Sequence, residues 1–250
     1  MGIRSGMNGK VALVTGAAGG LGRATAIALA DAGAHVCIVD HNPAGLAETE
    51  EMIGSAAHAF PTDLSQPENC AAAVQGTLDA FNGLDALCNV AGILKLANSH
   101  EMSLEDWNLV MAVNLTAPFL LSKAAIPHLL KSEGAIVNVT SLAAHIGEAY
   151  AAAYCASKAG LAQLTKSLAM EYLKTPLRIN AISPGGMATP IGASFIPPAG
   201  ADPELLGRFR PIRGLVDVSD MANMIAYLAS PASAGFHGAV IQMDNGITAG

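Results

Sequence analysis

The sequence predicts an α/β protein: a single Rossmann-like, doubly wound domain over residues 1–250, with a seven-stranded, mostly parallel sheet and helices on both faces. Three observations carry this. Strand-like and helix-like patterns alternate along the chain, and alternation at this spacing means βαβ crossovers and a parallel sheet. The apolar residues fall in short runs, such as Val11 to Val14 and Val36 to Val39, which suit strands covered on both faces. The first strand runs directly into a glycine-rich turn and a helix. Crossovers of this kind are right-handed, so the strand order is doubly wound.

Lys10–Thr15 reads as the first strand, and Gly20–Ala32 follows as a helix with apolar residues at helical spacing. Ala34–Val39 is the second strand, followed by a helix over about 43–54. Ala57–Pro61 is the third, followed by a helix over 67–81 opened by Pro67, whose missing N–H costs nothing in a first turn. Leu84–Val90 is the fourth strand. A long helix spans about 103–131, and Pro118 and Pro127 are expected to bend or break it. Gly134–Ser141 is the fifth strand, an Ala-rich helix covers about 149–173, and Leu177–Ile182 is the sixth strand. The Pro- and Gly-rich stretch 187–213 reads as a mobile excursion. A helix near 217–229 and a strand at Ala239–Met243 complete the series. No composition break marks a second domain, and no internal repeat is present.

Composition excludes several functions. Of 250 residues, 52% are apolar and 13% charged, and 13 Lys+Arg against 20 Asp+Glu leave a net charge of −7. A binder of phosphate backbones needs a basic face, so no nucleic-acid partner is expected, nor adhesion to an anionic membrane. Mean hydropathy is high at +0.41, yet no stretch reaches the roughly 18 unbroken apolar residues of a spanning helix. Met1 to Gly9 carries one Arg and no apolar segment, which predicts no secretory signal. The cysteines Cys37, Cys70, Cys88 and Cys155 have no CxxC spacing and read as free thiols in a reducing compartment, the cytoplasm. The histidines form no HxxxH or HExxH, so no metal site is expected.

The first strand ends in Thr15-Gly16-Ala17-Ala18-Gly19-Gly20-Leu21-Gly22. A backbone that passes close to a pyrophosphate cannot carry side chains there, and the helix that follows offers free N–H groups and a positive dipole end. From glycine spacing alone the alternative is a tight strand-to-helix turn. Its place after the first strand is where a dinucleotide site belongs. Asp40 ends the second strand, 18 residues after Gly22. A carboxylate there accepts from an adenosine ribose and repels a 2′-phosphate, which favours NAD over NADP. The alternative for Asp40 is an Asx turn leading into Pro43. Arg23, the one cation nearby, reads as a solvated first-turn residue.

Thirteen residues after Ser141 comes Tyr154, and Lys158 follows at i+4 on the same helix face. A phenol with a pKa near 10 is a poor base at neutral pH. A nearby ammonium, together with a positive nicotinamide, would lower it into the range of a general acid or base. A lone YxxxK arises by chance on many helices. Asn114 sits unfavourably within a predicted helix; either it has a polar task there or Pro118 alone causes the irregularity.

Taken together, Thr15–Gly22 (TGxxxGxG), Asp63 after the third strand, Asn89-Val90-Ala91-Gly92 (NxAG), Asn114, Ser141, Tyr154 with Lys158, Pro184-Gly185 and Asp244-Asn245-Gly246 give the chain its identity. In this order and spacing the chain resembles the short-chain dehydrogenase/reductase family over nearly its whole length. The resemblance implies a catalytic set of Ser141, Tyr154, Lys158 and Asn114. Tyr154 would exchange the proton, Lys158 would hold the nicotinamide ribose, Ser141 would steady the substrate oxygen, and Asn114 would bind a water linking Lys158 to solvent. It also implies an NAD site formed by Gly16, Gly20, Leu21, Gly22, Asp40, Asp63, Leu64, Asn89, Ala91, Gly92, Tyr154, Lys158, Pro184, Gly185, Met187 and Thr189. Asp63 would touch the adenine amino group, Asn89 would line the adenosine side, and Thr189 would hold the carboxamide. Cys88 in place of a second Asn, Asn245 in the DGG-like ending, and Gly186-Met187-Ala188 before Thr189 depart from the family pattern.

Residues expected to face substrate are Ile93, Leu94, Ala143, His145, Ile146, Tyr150, Met187 and part of 190–213. Most are apolar. That favours NAD(H)-dependent interconversion of a hydrophobic secondary alcohol and its ketone, alicyclic or steroid-like. His145 reads equally as a surface-loop histidine. The alternatives are a 3-oxoacyl-[acyl-carrier-protein] reductase and, more remotely, a non-catalytic nucleotide-binding protein. Small-residue faces on the helices before and after Ser141 fit either burial within the subunit or close packing between subunits; the resemblance implies a homodimer or homotetramer.

Overall fold

The computed structural model describes residues 6–193, 195–208 and 211–249. Seven strands form one sheet: β1 (Val11–Thr15), β2 (His35–Asp40), β3 (Ala57–Pro61), β4 (Ala86–Asn89), β5 (Ala135–Val139), β6 (Arg178–Pro184) and β7 (Val240–Met243). Their order is β3-β2-β1-β4-β5-β6-β7, and every neighbouring pair is parallel. The sheet expected to be mostly parallel is parallel throughout.

Alternation along the strands builds two cores, one on each face. From β1, Ala12 and Val14 pack on one side with Leu21, Ala26 and Leu29 of α1 (Gly20–Asp31). Leu13 points the other way, into a core that includes buried residues of later helices. The helices between are α2 (Pro43–Ile53) and α3 (Pro67–Phe81), each with Pro in the first turn. Next come α4 (Leu104–Met111) and α5 (Ala117–Ser132), joined by a π-helical turn at Ala112–Thr116. α6 (Ala152–Glu171) follows β5. α7 (Pro190–Ala193), α8 (Pro203–Gly207) and α9 (Val218–Ala229) precede β7. The expected excursion 187–213 thus carries two short helices; positions 194, 209 and 210 within it lie outside the described residues, as do Met1 to Ser5 of the leader reading.

Of the expected bend or break, Pro127 does not produce a break: it lies inside a continuous α5. The burial of Ala125, Ile126 and Leu129 around it outweighs one missing helix bond. The irregularity lies upstream, at Asn114. The joined helix Leu104–Ser132 is long and apolar enough by composition to cross a bilayer; here Val110, Asn114, Leu121 and Leu129 along it are buried in the domain.

The strand order reverses between β1 and β4. Crossovers leave in opposite directions there, which opens a crevice at the carboxyl ends of both strands. Thr15 closes its floor: its Oγ1 accepts from Val90 N and Ala91 N, each at 3.0 Å.

Candidate active site

The glycine turn lies on one wall of the crevice. Gly16 has φ +71°, and a Cβ on it would stand 2.9 Å from Ala91 Cα. A Cβ on Gly22 would stand 2.1 Å from Gly16 O, so the helix starts against the turn itself. Among the described residues no side chain caps the N-terminus of α1. Uncapped N–H groups and a cradle without Cβ atoms fit a dinucleotide pyrophosphate. Met187 to Pro190 overlies this point, since a Cβ on Gly20 would meet Pro190 Cδ at 2.9 Å and Thr189 Cβ at 3.4 Å. Pro184 ends β6 beside Met243, and Gly185 lies against Asp244, whose Cα a Cβ would approach to 2.7 Å.

Asp40 reaches back to the turn. Its Oδ2 accepts from Ala18 N at 3.2 Å, and its Oδ1 accepts from Asn42 N at 3.0 Å with His41 Nδ1 at 3.1 Å. The Asx turn is therefore real, and it coexists with a carboxylate presented at the crevice, because each oxygen keeps a lone pair. Arg23 is not solvated as expected. It is half-buried, bonding Thr49 Oγ1, Ala18 O, Gly45 O and Glu48, and it clamps the glycine turn to α2. The planar guanidinium suits this convergence of two backbone carbonyls, a hydroxyl and a carboxylate. Asp63 is exposed at the end of β3, next to Asp40, whose carbonyl accepts from Thr62 N. Hydrogen bonds from Ser65 hold its carboxyl below the usual range. Leu64 is buried in the core. The Asn89 side chain is turned into the sheet, donating to Asn138 Oδ1 at 2.8 Å, while Asn138 donates to Thr165 on α6.

The opposite wall gathers the reacting groups. Ser141, just past β5, is buried; its Oγ accepts from Ala143 N and it lies beside the Tyr154 phenol. Lys158 is 3% exposed. Its Nζ donates to Val139 O at 2.9 Å and stands 5.8 Å from the Tyr154 ring centroid. Burial brings its ammonium down to about 8. Burial also pushes the Tyr154 phenol up to about 12, opposed by Ser141 and reinforced by negative charge at Glu148 and Cys155. The lowering expected from sequence joins the Lys158 ammonium to a bound nicotinamide. The ammonium is committed to a carbonyl and sits over the ring, while desolvation acts on the oxygen directly.

Asn114 has a task of its own. Its Oδ1 accepts from Ile93 N and its Nδ2 donates to Ile93 O, both at 2.9 Å, and to Ser157 Oγ at 3.1 Å. The π-helical turn turns this amide inward. Ser157 in turn donates to Tyr154 O at 2.8 Å. A Cβ on Gly92 would lie 3.2 Å from Lys158 Nζ and 3.4 Å from Asn114 Oδ1. Gly92 and Ala91 therefore form the seam between the turn and the reacting groups.

Of the expected substrate residues, Ile93, Leu94 and Ile146 are half-buried and Ala143 is buried. His145 is exposed, with Nε2 2.9 Å from Ser183 Oγ, which lies 2.6 Å from Thr140 Oγ1. Tyr150 has φ +68°, and its hydroxyl accepts from Asp202 N at 2.8 Å. Sequence reasoning missed Ser157, which stands inside the YxxxK motif, and Glu148, a lone loop carboxylate with no pattern to mark it. Asn245 was noted only as a departure; its Nδ2 donates to the carbonyls of Gly214 and Leu215 and latches the end of the excursion.

A family model described as enoyl-(acyl carrier protein) reductase matches residues 16–248, from the glycine turn to the C-terminal latch. The chain belongs to the short-chain dehydrogenase/reductase family. Its chemistry is that of an oxidoreductase in this family. Among curated short-chain dehydrogenases it is 39% identical over 249 residues to the 2,5-dichloro-2,5-cyclohexadiene-1,4-diol dehydrogenase LinX of Sphingobium indicum, covering 97% of each chain. It superposes with TM-score 0.89 on a 3-ketoacyl-(acyl-carrier-protein) reductase from Brucella melitensis complexed with NADH, at 31% identity over 97% of this chain and 99% of that one. A protein from Beutenbergia cavernae named for NAD(P)-dependent gluconate 5-dehydrogenase activity, with NADP bound at low occupancy, gives TM-score 0.88 at 34% identity, covering 99% and 100%. Short-chain dehydrogenase/reductase neighbours of this chain thus bind either nicotinamide nucleotide.

Proposed function

We propose that this protein is an NAD-dependent dehydrogenase of a hydrophobic, alicyclic secondary alcohol. The observation that carries the reading is the convergence of Ser141, Tyr154, Lys158 and Asn114 across a seam of Ala91 and Gly92 from an uncapped glycine cradle. The residues that would hold NAD are Gly16, Gly20 and Gly22 at the pyrophosphate, Asp40 at the adenosine ribose, and Met187 to Thr189 over the α1 N-terminus. Bound there, NAD supplies the acceptor for the hydride that leaves the carbinol carbon. Tyr154 takes the hydroxyl proton as the carbonyl forms, and Ser141 donates a hydrogen bond to the substrate oxygen. Lys158, as a cation, favours the phenolate. Asn114 holds Ile93, and with it the loop after β4, in place against the reacting groups. Asp40 supports NAD over NADP because a 2′-phosphate beside it would place like charges together. Similarity to LinX, named for a cyclic diol, supports an alicyclic substrate.

Similarity to a 3-ketoacyl-(acyl-carrier-protein) reductase supports a second reading, reduction of a 3-oxoacyl thioester. A panel of cyclohexanols with NAD at alkaline pH, set against acetoacetyl thioesters with NADH and NADPH, separates the two. In either case Tyr154→Phe is expected to lower kcat by about 10²–10⁴ while NADH titration by fluorescence gives an unchanged Kd. Turnover close to the parent in that variant would discard the mechanism.

We also propose a homo-oligomer, tetramer or dimer. Its support is the apolar side chains Leu104, Trp107, Leu109 and Phe119, exposed on α4 and α5. The free thiols Cys37, Cys70, Cys88 and Cys155 fit a reducing compartment such as the cytoplasm.

A further inference from the structure

Tyr150 adopts φ +68°, a left-handed backbone that glycine takes freely and a bulky residue does not. Among the described residues, Asn82 and Glu133 share this conformation where they close α3 and α5, and Asn245 where it latches the excursion. Tyr150 closes no helix. It stands two residues before α6 and four before Tyr154. Backbone of this kind persists where the bonds around it over-determine it. The Tyr150 carbonyl accepts from Ala97 N at 2.9 Å, after β4, and its hydroxyl accepts from Asp202 N at 2.8 Å, at the start of α8. One residue thus joins three loops of the cleft.

The segment that carries α8 starts and ends on the glycine-turn side. Thr189 and Pro190 overlie Gly20, and Val216 N donates to Gly186 O at 2.9 Å. Tyr150 stands on the opposite wall, one helical turn from Tyr154. To reach the Tyr150 hydroxyl, Asp202 lies across the crevice from both ends of its own segment. Packing does not hold it there, since no residue of α8 is buried. Among the described residues, no second hydrogen bond joins 197–207 to the rest of the domain. The place of α8 over the crevice is therefore fixed through the length of the Tyr150 side chain. The bond is exposed, so water competes for both partners, and its loss shifts an equilibrium about threefold to tenfold.

We propose that Tyr150 is a positioning residue that sets the size of alcohol the cleft admits, by holding α8 at a fixed distance from the wall that carries Tyr154. This rests on the alcohol-dehydrogenase reading above. Tyr150 acts on the substrate through α8. Its ring gives the span, its hydroxyl gives the tie, and its bond to Ala97 keeps the near end of the span in place. The task of the side chain accounts for a tyrosine where the backbone favours glycine.

The test compares the parent with Tyr150→Phe, which keeps the ring and the Ala97 bond and loses the tie to Asp202. Chymotrypsin cleavage after Leu205 and Leu206, in α8, is read by mass beside the urea unfolding midpoint. The kcat/KM with NAD is measured for cyclohexanol and for the bicyclic 2-decalol. In the variant, cleavage in α8 is expected to quicken about threefold to tenfold with the midpoint unmoved. The ratio for cyclohexanol over 2-decalol is expected to fall by about the same factor. Tyr150→Gly, which also relieves the backbone, is expected to lower the ratio at least as far. A general loosening slows both alcohols together and moves the midpoint, so an unchanged ratio overturns the proposal. Unchanged cleavage in α8 overturns it as well, and so does faster cleavage throughout the chain with a lower midpoint. A parent that oxidises cyclohexanol, with the ratio unmoved in both variants, refutes this inference alone. A parent that oxidises no alcohol with either nucleotide refutes the functional reading beneath it, and the cleavage rates then decide whether Tyr150 holds α8.

Discussion

At the scale of single residues, burial opposes the chemistry that the motifs imply. Lys158 is held at about 8 against an ordinary 10.5 by loss of water. The folded state therefore releases this proton before the unfolded chain does, and stability rises with pH between those two values. Below about 8 both states are protonated and the whole cost of burying the cation is present, about 3 kcal/mol at most. Lys158→Met is expected to be more stable than the parent at pH 7 by up to that amount, with the gap closing toward pH 10.5. Urea unfolding midpoints across that range measure it, and parallel profiles would show that the cation carries no such cost. Tyr154, raised to about 12, acts with opposite sign: its contribution falls away as pH climbs from 10 toward 12. Asp40 makes a second prediction. Asp40→Ala removes the charge that repels a 2′-phosphate, so the ratio of kcat/KM for NAD over NADP should fall about tenfold or more. An unchanged ratio takes Asp40 away from the ribose.

At the scale of elements, the informative segment is the helix from Leu104 to Ser132. The sequence placed a helix there and marked Asn114 as ill-suited to it, reading a kink with a polar task, with Pro118 as the alternative cause. The structure shows both at the irregularity. The π-helical turn lies around Asn114 and runs straight into α5, where Pro118 offers no N–H to the Asn114 carbonyl four residues back. Local propensity could register the conflict but not its resolution, because the partners of Asn114 are Ile93 and Ser157, 21 and 43 residues away. Asn114→Leu keeps the volume and strands both polar groups of Ile93. It should cost about 2–3 kcal/mol in unfolding free energy, at about 1 kcal/mol per lost bond. It should also lower kcat by loosening the loop after β4. A loss below about 0.5 kcal/mol would mean that Ile93 finds other partners.

At the scale of the whole molecule, the reversal of strand order decides where everything meets. The glycine turn follows β1 and the NxAG segment follows β4, and only their adjacency in the sheet makes one crevice of them. The outer surface carries its own signal. Leu104, Trp107, Leu109 and Phe119 lie exposed on α4 and α5, and aromatic side chains of this kind anchor interfaces. The mass in solution should be a multiple of 25.3 kDa, and the pair Trp107→Glu with Phe119→Glu should shift it toward the single-chain value. Light scattering reads both, and a parent of single-chain mass would leave these faces unexplained by self-association.

The amino-acid sequence by itself determined the strand and helix series, the two-sided burial of the sheet, the glycine cradle and the Ser141–Tyr154–Lys158 set. Each of these is written in local periodicity, in turn chemistry or in spacing along one helix. Tertiary structure alone decided that Arg23 is a clamp, that Pro127 is tolerated, and that the Lys158 ammonium binds a carbonyl instead of the phenol. Those outcomes depend on which distant backbone and side-chain groups arrive at the same point and how much water they displace. Neither quantity is carried by neighbours in the chain.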